Sequence, residues 1–257
     1  EDKKVATRKK RTIRASADPR QAYSMPYMSP LYFAPPMEYR DNWSQHVTFR
    51  SDPKVISRWI PKQLVPDPDG LMFMLTSYFF ATGFGHYREA TLCAHARFKG
   101  KPVNYTLFLI LDNDMAICGG REIWGWPKKM GTIEVDENDA VVQARVGRGG
   151  VELVRANVVL NELVDASALS GTTEYVNWKF IPSVKNGAPP DVNQLTLTEL
   201  TNFVPDKVYR GPATIEFGRS PCDHYAEIPV VEVIEGFYYS SDFTLEDGEV
   251  IHDYLKS

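Results

Sequence analysis

From about residue 31 onward the sequence breaks into short apolar or alternating segments with turn residues between them, and this spacing most narrows the folds open to it. "LMFMLTSYFF" (71–80), "EATLCAHARF" (89–98), "VNYTLFLIL" (103–111), "GTIEV" (131–135) and "AVVQARV" (140–146) read as strands. "ENDA" and "GRGG" (147–150) supply the turn chemistry that hairpins require. "VELVRANVVLNEL" (151–163), "EYVNWKFIP" (174–182), "ATIEFG" (213–218) and "PVVEVIEGFYYSSDFTL" (229–245) continue the series. So many strands at turn-limited spacing predict a mainly β chain, built as a closed antiparallel barrel or a sandwich.

Few segments depart from that pattern. "DPKVISRWIPKQL" (52–64) predicts a short amphipathic helix, with Asp52 as N-cap, Pro53 at the first helical position, and Val55, Ile56, Trp59 and Ile60 on one face. It should end before Pro61 or soon after. "TLTELTNF" (196–203) is open between a helical turn and a strand, and "SVKNGAPPD" (183–191) is a loop.

The first twenty residues differ in kind, with eight Lys or Arg against three acids and no apolar core of a secretory signal. We read residues 1–30 as a basic N-terminal arm and 31–257 as one domain. The arm is expected either to pack on a neighbouring subunit or to be a flexible solvated tail.

Over the whole chain the formal charge is -4 and the pI near 5.8, which argues against a general nucleic-acid binder because phosphate binding needs a basic surface. The expected partners are small molecules and further copies of the chain. Three cysteines, Cys93, Cys118 and Cys222, have no C-x-x-C spacing, so neither a disulfide framework nor a zinc site is suggested. Free thiols and the lack of a signal make the cytoplasm the default location. Apolar runs such as "YTLFLIL" (105–111) are far too short to span a bilayer as a helix.

Nucleotide-binding, zinc-protease and serine-hydrolase motifs are absent, and the five histidines are scattered singly, the pattern of structural or surface residues. The stretch with chemical promise is "GREIWGWPKKMG" (120–131). An unperturbed lysine is neutral in only about one molecule in two thousand at pH 7. Apolar burial or a second cation disfavours the ammonium and frees the amine as a nucleophile. Trp124, Trp126, Pro127 and Met130 offer apolar surroundings to Lys128, and Lys129 is the adjacent cation. On its own, Lys-Lys after Pro is more often a solvated turn. Two further stretches add weight: "GFGHYREA" (83–90) sets Glu89 after a glycine-rich bend, and "PPMEYRDNW" (35–43) holds Arg40 where it could bind a carboxylate.

Together the three stretches resemble the acetoacetate decarboxylase family. The match is specific at Gly-Arg-Glu followed by an aromatic, Pro-Lys-Lys and Gly, and at the bend ending in aromatic, any residue, Glu. "WKFIP", "YRGPATIEF", "IPVVEV" and "EVIHDYLK" follow the family's order. The resemblance implies a closed or cone-like β-barrel with a few flanking helices, a homo-oligomer, and decarboxylation of acetoacetate or a related 3-oxo acid with no metal or organic cofactor. It also implies that Lys128 forms the Schiff base, that Lys129 is the neighbour long associated with its lowered pKa, that Glu89 serves in proton transfer or positioning, and that Arg40 orients the substrate.

Three departures from the family pattern bear on the site. Ungapped alignment puts Met74 where family decarboxylases carry a second pocket glutamate, so one carboxylate is missing. Arg40 matches only with two extra residues before Arg50; without that gap Asn42 takes its place. Trp124 and Trp126 are bulky, and if they share a strand face both reshape the substrate pocket. Two other functions therefore stay open: an imine-dependent aldolase-dehydratase acting on pyruvate or a related 2-oxo acid, and a barrel that binds a hydrophobic ligand without turnover.

Overall fold

The computed structural model describes residues 22–169 and 171–256. Most of the arm, residues 1–21, lies outside them, and with it the question of what the arm packs against. Ser24 is buried and its hydroxyl donates to the Tyr32 carbonyl at 2.9 Å, while Met25 and Met28 are exposed.

Strand β1 (Met37–Arg50) leads into one helical turn, α1 (Pro53–Ile56), then β2 (Val65–Pro66) and the hairpin of β3 (Leu71–Ala81) and β4 (Gly85–Phe98). The expected helix over 52–64 is thus much shorter. Asp52 caps it by accepting from the Lys54 amide, 2.8 Å, but the chain turns out of helix at Ser57, ahead of Pro61. β5 (Lys101–Leu111) runs into α2 (Asp114–Gly119), a π-helical turn (Gly120–Trp124) and the short β6 (Lys128–Met130). The meander β7 (Thr132–Glu137), β8 (Val141–Arg148) and β9 (Val151–Val159) follows, then β10 (Glu162–Val164), β11 (Glu174–Ile181), β12 (Val192–Gly211), β13 (Ala213–Phe217), β14 (Glu232–Leu245) and β15 (Glu249–Asp253). The ambiguous stretch 196–203 is the middle of β12, a single long strand bent at bulges where Asn202 and Lys207 take positive φ.

The larger sheet curls into a cone. Its strand order is β2-β4-β3-β1-β14-β12-β11-β5-β6, and β4 also pairs with β5, bringing the two ends together. Pairing is antiparallel except at two seams, β5 with β11 over two residue pairs and β5 with β6 over three. The expected barrel or cone is present as a cone-like shell, antiparallel but for these two short parallel seams. A second sheet, β13-β9-β8-β7, packs on its outside.

Strand alternation sorts the side chains of the cone. Odd-numbered residues of β3, such as Phe73, Leu75 and Ser77, face inward, and Met72, Met74 and Thr76 face out. Val47, Phe49, Met72, Met74 and Leu92 meet Val146, Leu153, Val154 and Val158 of the second sheet in a buried core. Each such side chain stabilises the fold by about 1.5–3 kcal/mol. Gln45 pins the two layers by donating to the carbonyls of Val142 and Ala156, 2.8 and 3.3 Å. Among the described residues no helix is long and apolar enough to cross a membrane.

Candidate active site

Register alone places the two candidate residues, Glu89 and Lys128, together. Glu89 of β4 stands opposite Ser77 of β3 on one side and Leu111 of β5 on the other. Lys128, the first residue of β6, pairs with Leu109 of β5, two residues from Leu111. Directly paired residues share a face and so do residues two apart, so Glu89 and Lys128 both point into the cone. Lys128 Nζ donates to Glu89 Oε2 at 2.9 Å, and the side chains are only 6% and 12% exposed. Thr91 Oγ1 donates to the other carboxylate oxygen, Oε1, at 3.2 Å.

The segment before Lys128 is shaped to receive its side chain. Asn113 caps α2 by accepting from the Ala116 amide, 2.8 Å, and α2 runs on into the π-helical turn. Such turns recur at functional sites because they displace a stretch of helix without ending it. The lysine stem lies against Gly120, where a β-carbon would stand 2.5 Å from Lys128 Cδ and 2.6 Å from Cε. Gly125, at φ 80, stops the turn. Lys179 closes its end by donating to the Ile123 carbonyl at 3.0 Å, and burial holds the Lys179 pKa below the usual lysine value. Arg121 donates to the Lys128 carbonyl at 3.1 Å, tying the loop to the strand it feeds.

Around the ion pair the surface is aromatic. Lys128 Nζ lies 5.8 Å from the ring centre of Tyr87, and the hydroxyls of Tyr87 and Tyr39 are 2.9 Å apart. Burial first, then the neighbouring phenol and the Glu89 charge, push the Tyr87 hydroxyl well above the usual range; burial does the same to Tyr39. Both phenols stay protonated at neutral pH. Trp126 is buried with its ring 5.3 Å from that of Tyr175, and among the described residues its indole N–H has no acceptor. Trp124 is also buried, its indole donating to the Glu246 carbonyl at 2.8 Å. The two tryptophans do not share a strand face: Trp124 belongs to the π-helical turn, and Trp126 follows it in extended chain ahead of β6. Met130 is half exposed and does not complete the apolar surround.

Three residues expected at the site are turned away from it. Lys129, one residue past Lys128, points to the outer face, where its ammonium donates to Asp223 at 2.7 Å and the Cys222 carbonyl at 3.3 Å. Asp223 is 3% exposed and also faces Arg148 at 3.8 Å, so a carboxylate already offsets the Lys129 charge. Arg40 is 41% exposed, held by Glu38 and Asp242 at 3.3 and 3.9 Å and by the carbonyls of Tyr39 and Phe243. The cause is a bulge in β1: the register with β14 slips between Tyr39 and Asn42, and Asp41 takes φ 52. Asn42 does not replace it, since its amide is spent on the Ser241 carbonyl and the Phe80 amide. Met74, 1% exposed, packs into the core between the sheets opposite Val47 and Leu92. The inward residues of β3 are Leu71, Phe73, Leu75, Ser77 and Phe79, so this strand brings no second carboxylate to Glu89.

Sequence reasoning missed Tyr87 and Ser77. Tyr87 was open to inference, because it stands two residues before Glu89 and shares its face. Ser77 required the β3–β4 register. His46 and His95, scattered singly in the sequence, flank the ring of Phe73 at 4.8 and 5.4 Å and line a cavity of the cone.

The comparisons agree with this geometry. The sequence profile of the family described as acetoacetate decarboxylase matches residues 24–255. An acetoacetate decarboxylase of Ralstonia nicotianae is 31% identical over 243 residues, covering 91% of this chain and 96% of that protein. Acetoacetate decarboxylase 2 of Mesorhizobium japonicum is 31% identical over 252 residues, covering 95% and 92%. The crystal structure of acetoacetate decarboxylase from Legionella pneumophila superposes with a TM-score of 0.83 at 25% identity, over 91% of this chain and 94% of that one. The enduracididine biosynthesis enzyme MppR complexed with pyruvate shares the fold, with a TM-score of 0.80 at 18% identity over 91% of this chain and 98% of its own. The chain belongs to the acetoacetate decarboxylase family and is an enzyme of the decarboxylase type.

Proposed function

We propose that this enzyme decarboxylates a 3-oxo acid through a Schiff base on Lys128. The observation that carries the reading is the buried pair on the inner face of the cone: an amine 2.9 Å from a single carboxylate, Glu89, with aromatic rings around it.

Glu89 is the group placed to take the proton that the Lys128 ammonium must shed. The free amine adds to the ketone carbon, and loss of water leaves a protonated imine. The bond to the carboxylate carbon then breaks, its electron pair passing into the imine to give an enamine as carbon dioxide departs. Protonation of the enamine carbon restores the imine, and water releases the ketone and the lysine. In sum, one 3-oxo carboxylate and one proton give one ketone and one carbon dioxide. The imine takes up the electrons, so each step is written with side chains and water alone. Glu89 returns the proton it took, as acid in one half of the cycle and base in the other. The reading includes self-association of the chain, which a monomeric mass by light scattering at micromolar concentration overturns.

The test is intact and peptide mass after borohydride reduction, with acetoacetate and pyruvate offered separately. The expected result is a Lys128 adduct from acetoacetate that has lost carbon dioxide. A lasting adduct from pyruvate alone moves the protein to the aldolase-dehydratase reading, which the lack of a second carboxylate on β3 favours. No adduct with either means that these ketones are not substrates or that Lys128 is not nucleophilic, and a direct titration of the lysine separates the two cases.

A further inference from the structure

The cone holds a cleft-like cavity of about 540 Å³ that opens to solvent on one side. That is within the roughly 300–1,000 Å³ of sites that hold drug-sized ligands, and far more than acetoacetate fills. One side of it is apolar, formed by Phe73, Leu75, Phe79, Phe203, Phe237 and Phe243, while Arg50 and Glu235 also belong to its lining. The two histidines in the wall add no charge to the apolar side. Burial lowers the pKa of both, that of His46 to about 4, so both are neutral at pH 7.

The cavity adjoins the lysine site. Ser44, in its wall, is hydrogen-bonded at 2.8 Å to Ser77, the residue opposite Glu89. Two further wall residues touch the aromatic shell of the ion pair: Tyr175 lies against Trp126, and the Phe79 ring is 5.6 Å from that of Tyr87. Along β3 the inward residues Leu75 and Phe73 line the cavity, the latter four residues or about 13 Å from Ser77 at the rise of a strand. Asn104 also lines it, 2% exposed, and its Oδ1 has no donor among the described residues. Lys128 and Glu89 do not themselves line the cavity, so a substrate spanning both sites requires the rings of Phe79 and Tyr175, which line it and touch the aromatic shell, to turn aside.

We propose, resting on the decarboxylase reading above, that the substrate is a 3-oxo acid whose ketone carries a medium-length alkyl chain or an aryl ring. The ketone and carboxylate are held at Lys128 and Glu89, and the apolar group passes Phe79 and Tyr175 into the cavity. Acetoacetate then fills only the reacting end of the site.

The experiment compares kcat/KM of the wild-type enzyme for acetoacetate, 3-oxooctanoate and benzoylacetate, with borohydride trapping on Lys128 for each. At least one of the larger acids should exceed acetoacetate by tenfold or more. Leu75→Trp, which fills the cavity away from the lysine, should lower the ratio of the larger acid to acetoacetate by at least tenfold. Thr48→Trp gives a second filling variant should the first not fold. If acetoacetate is decarboxylated and trapped on Lys128 but the larger acids do no better, the inference about the tail falls and the decarboxylase reading stands. If none of the three acids is trapped or decarboxylated, both fall together.

Discussion

Gly120 and Lys128 fit together as surface and stem: a β-carbon on Gly120 would stand 2.5 Å from Lys128 Cδ, closer than packed carbon atoms approach. Gly120→Ala therefore forces a movement, and the lysine side chain yields more readily than the helical backbone. Overpacking of this kind costs about 1–3 kcal/mol when nothing can move. Here the strain is released by displacing Nζ from Glu89, so we expect a small loss of stability and a large loss of turnover. The check is urea denaturation beside kcat/KM: a midpoint close to wild type with activity down tenfold or more. Unchanged activity would mean that the lysine is not held where the structure places it.

Lys128→Met removes the amine but keeps an apolar stem, leaving the Glu89 carboxylate buried without its cation. Breaking one side of a buried pair is costly, on the order of 3 kcal/mol, whereas replacing both members is often neutral. Lys128→Met should abolish both turnover and the borohydride adduct and should unfold at lower urea. Adding Glu89→Gln to it should restore much of the stability and none of the activity. If the single variant is as stable as wild type, the pair is more solvated than its 6% and 12% exposures indicate.

The reach of the sequence is clearest at this pair. Lys128 and Glu89 stand out because each lies in a local pattern, Pro-Lys-Lys after an aromatic and Glu after a glycine-rich bend. Their meeting depends on the β4–β5 and β5–β6 registers, which no local pattern specifies. Met74 was misplaced because ungapped counting across the β3–β4 hairpin ignores strand alternation, and the residue opposite Glu89 is Ser77. Arg40 was lost to a bulge, for which Asp41 gave no clear turn signal. The helix and π-helical turn at 114–124 went unseen because adjacent glycines, Gly119 and Gly120, weigh against helix by propensity. Close packing explains both: Phe84 and Tyr32 leave no room for a side chain at Gly119, and Lys128 leaves none at Gly120. The strands were largely legible, since a period of two needs no knowledge of partners.

Lys129 offers the sharpest separation of neighbours in sequence from neighbours in space. Its ammonium is engaged by buried Asp223 on the outer face. Lys129→Met should cost stability, about 1–2 kcal/mol, because among the described residues Asp223 keeps only Arg148 at 3.8 Å as a cation. Turnover should stay within a few-fold of wild type, with the same kcat pH profile. A profile displaced by a full pH unit would instead show that the Lys129 charge acts on Lys128 through the strand.

His46 makes the fold acid-sensitive in a calculable way. It borders the cavity of the cone, and burial lowers its folded pKa to about 4 from the ordinary histidine value of 6.5. Between these values the unfolded chain binds the proton and the native chain does not, so stability is complete above pH 6.5 and declines as the pH falls towards 4. The full loss from this one residue is about 3 kcal/mol. His95, also lowered by burial, acts in the same direction. Urea midpoints for wild type and His46→Gln at pH 7.5 and pH 4.5 measure the effect. Wild type should lose more stability than the variant over that interval, by about 2 kcal/mol. Equal losses would mean that His46 is protonated in the native cavity, and that a polar or anionic partner reaches it there.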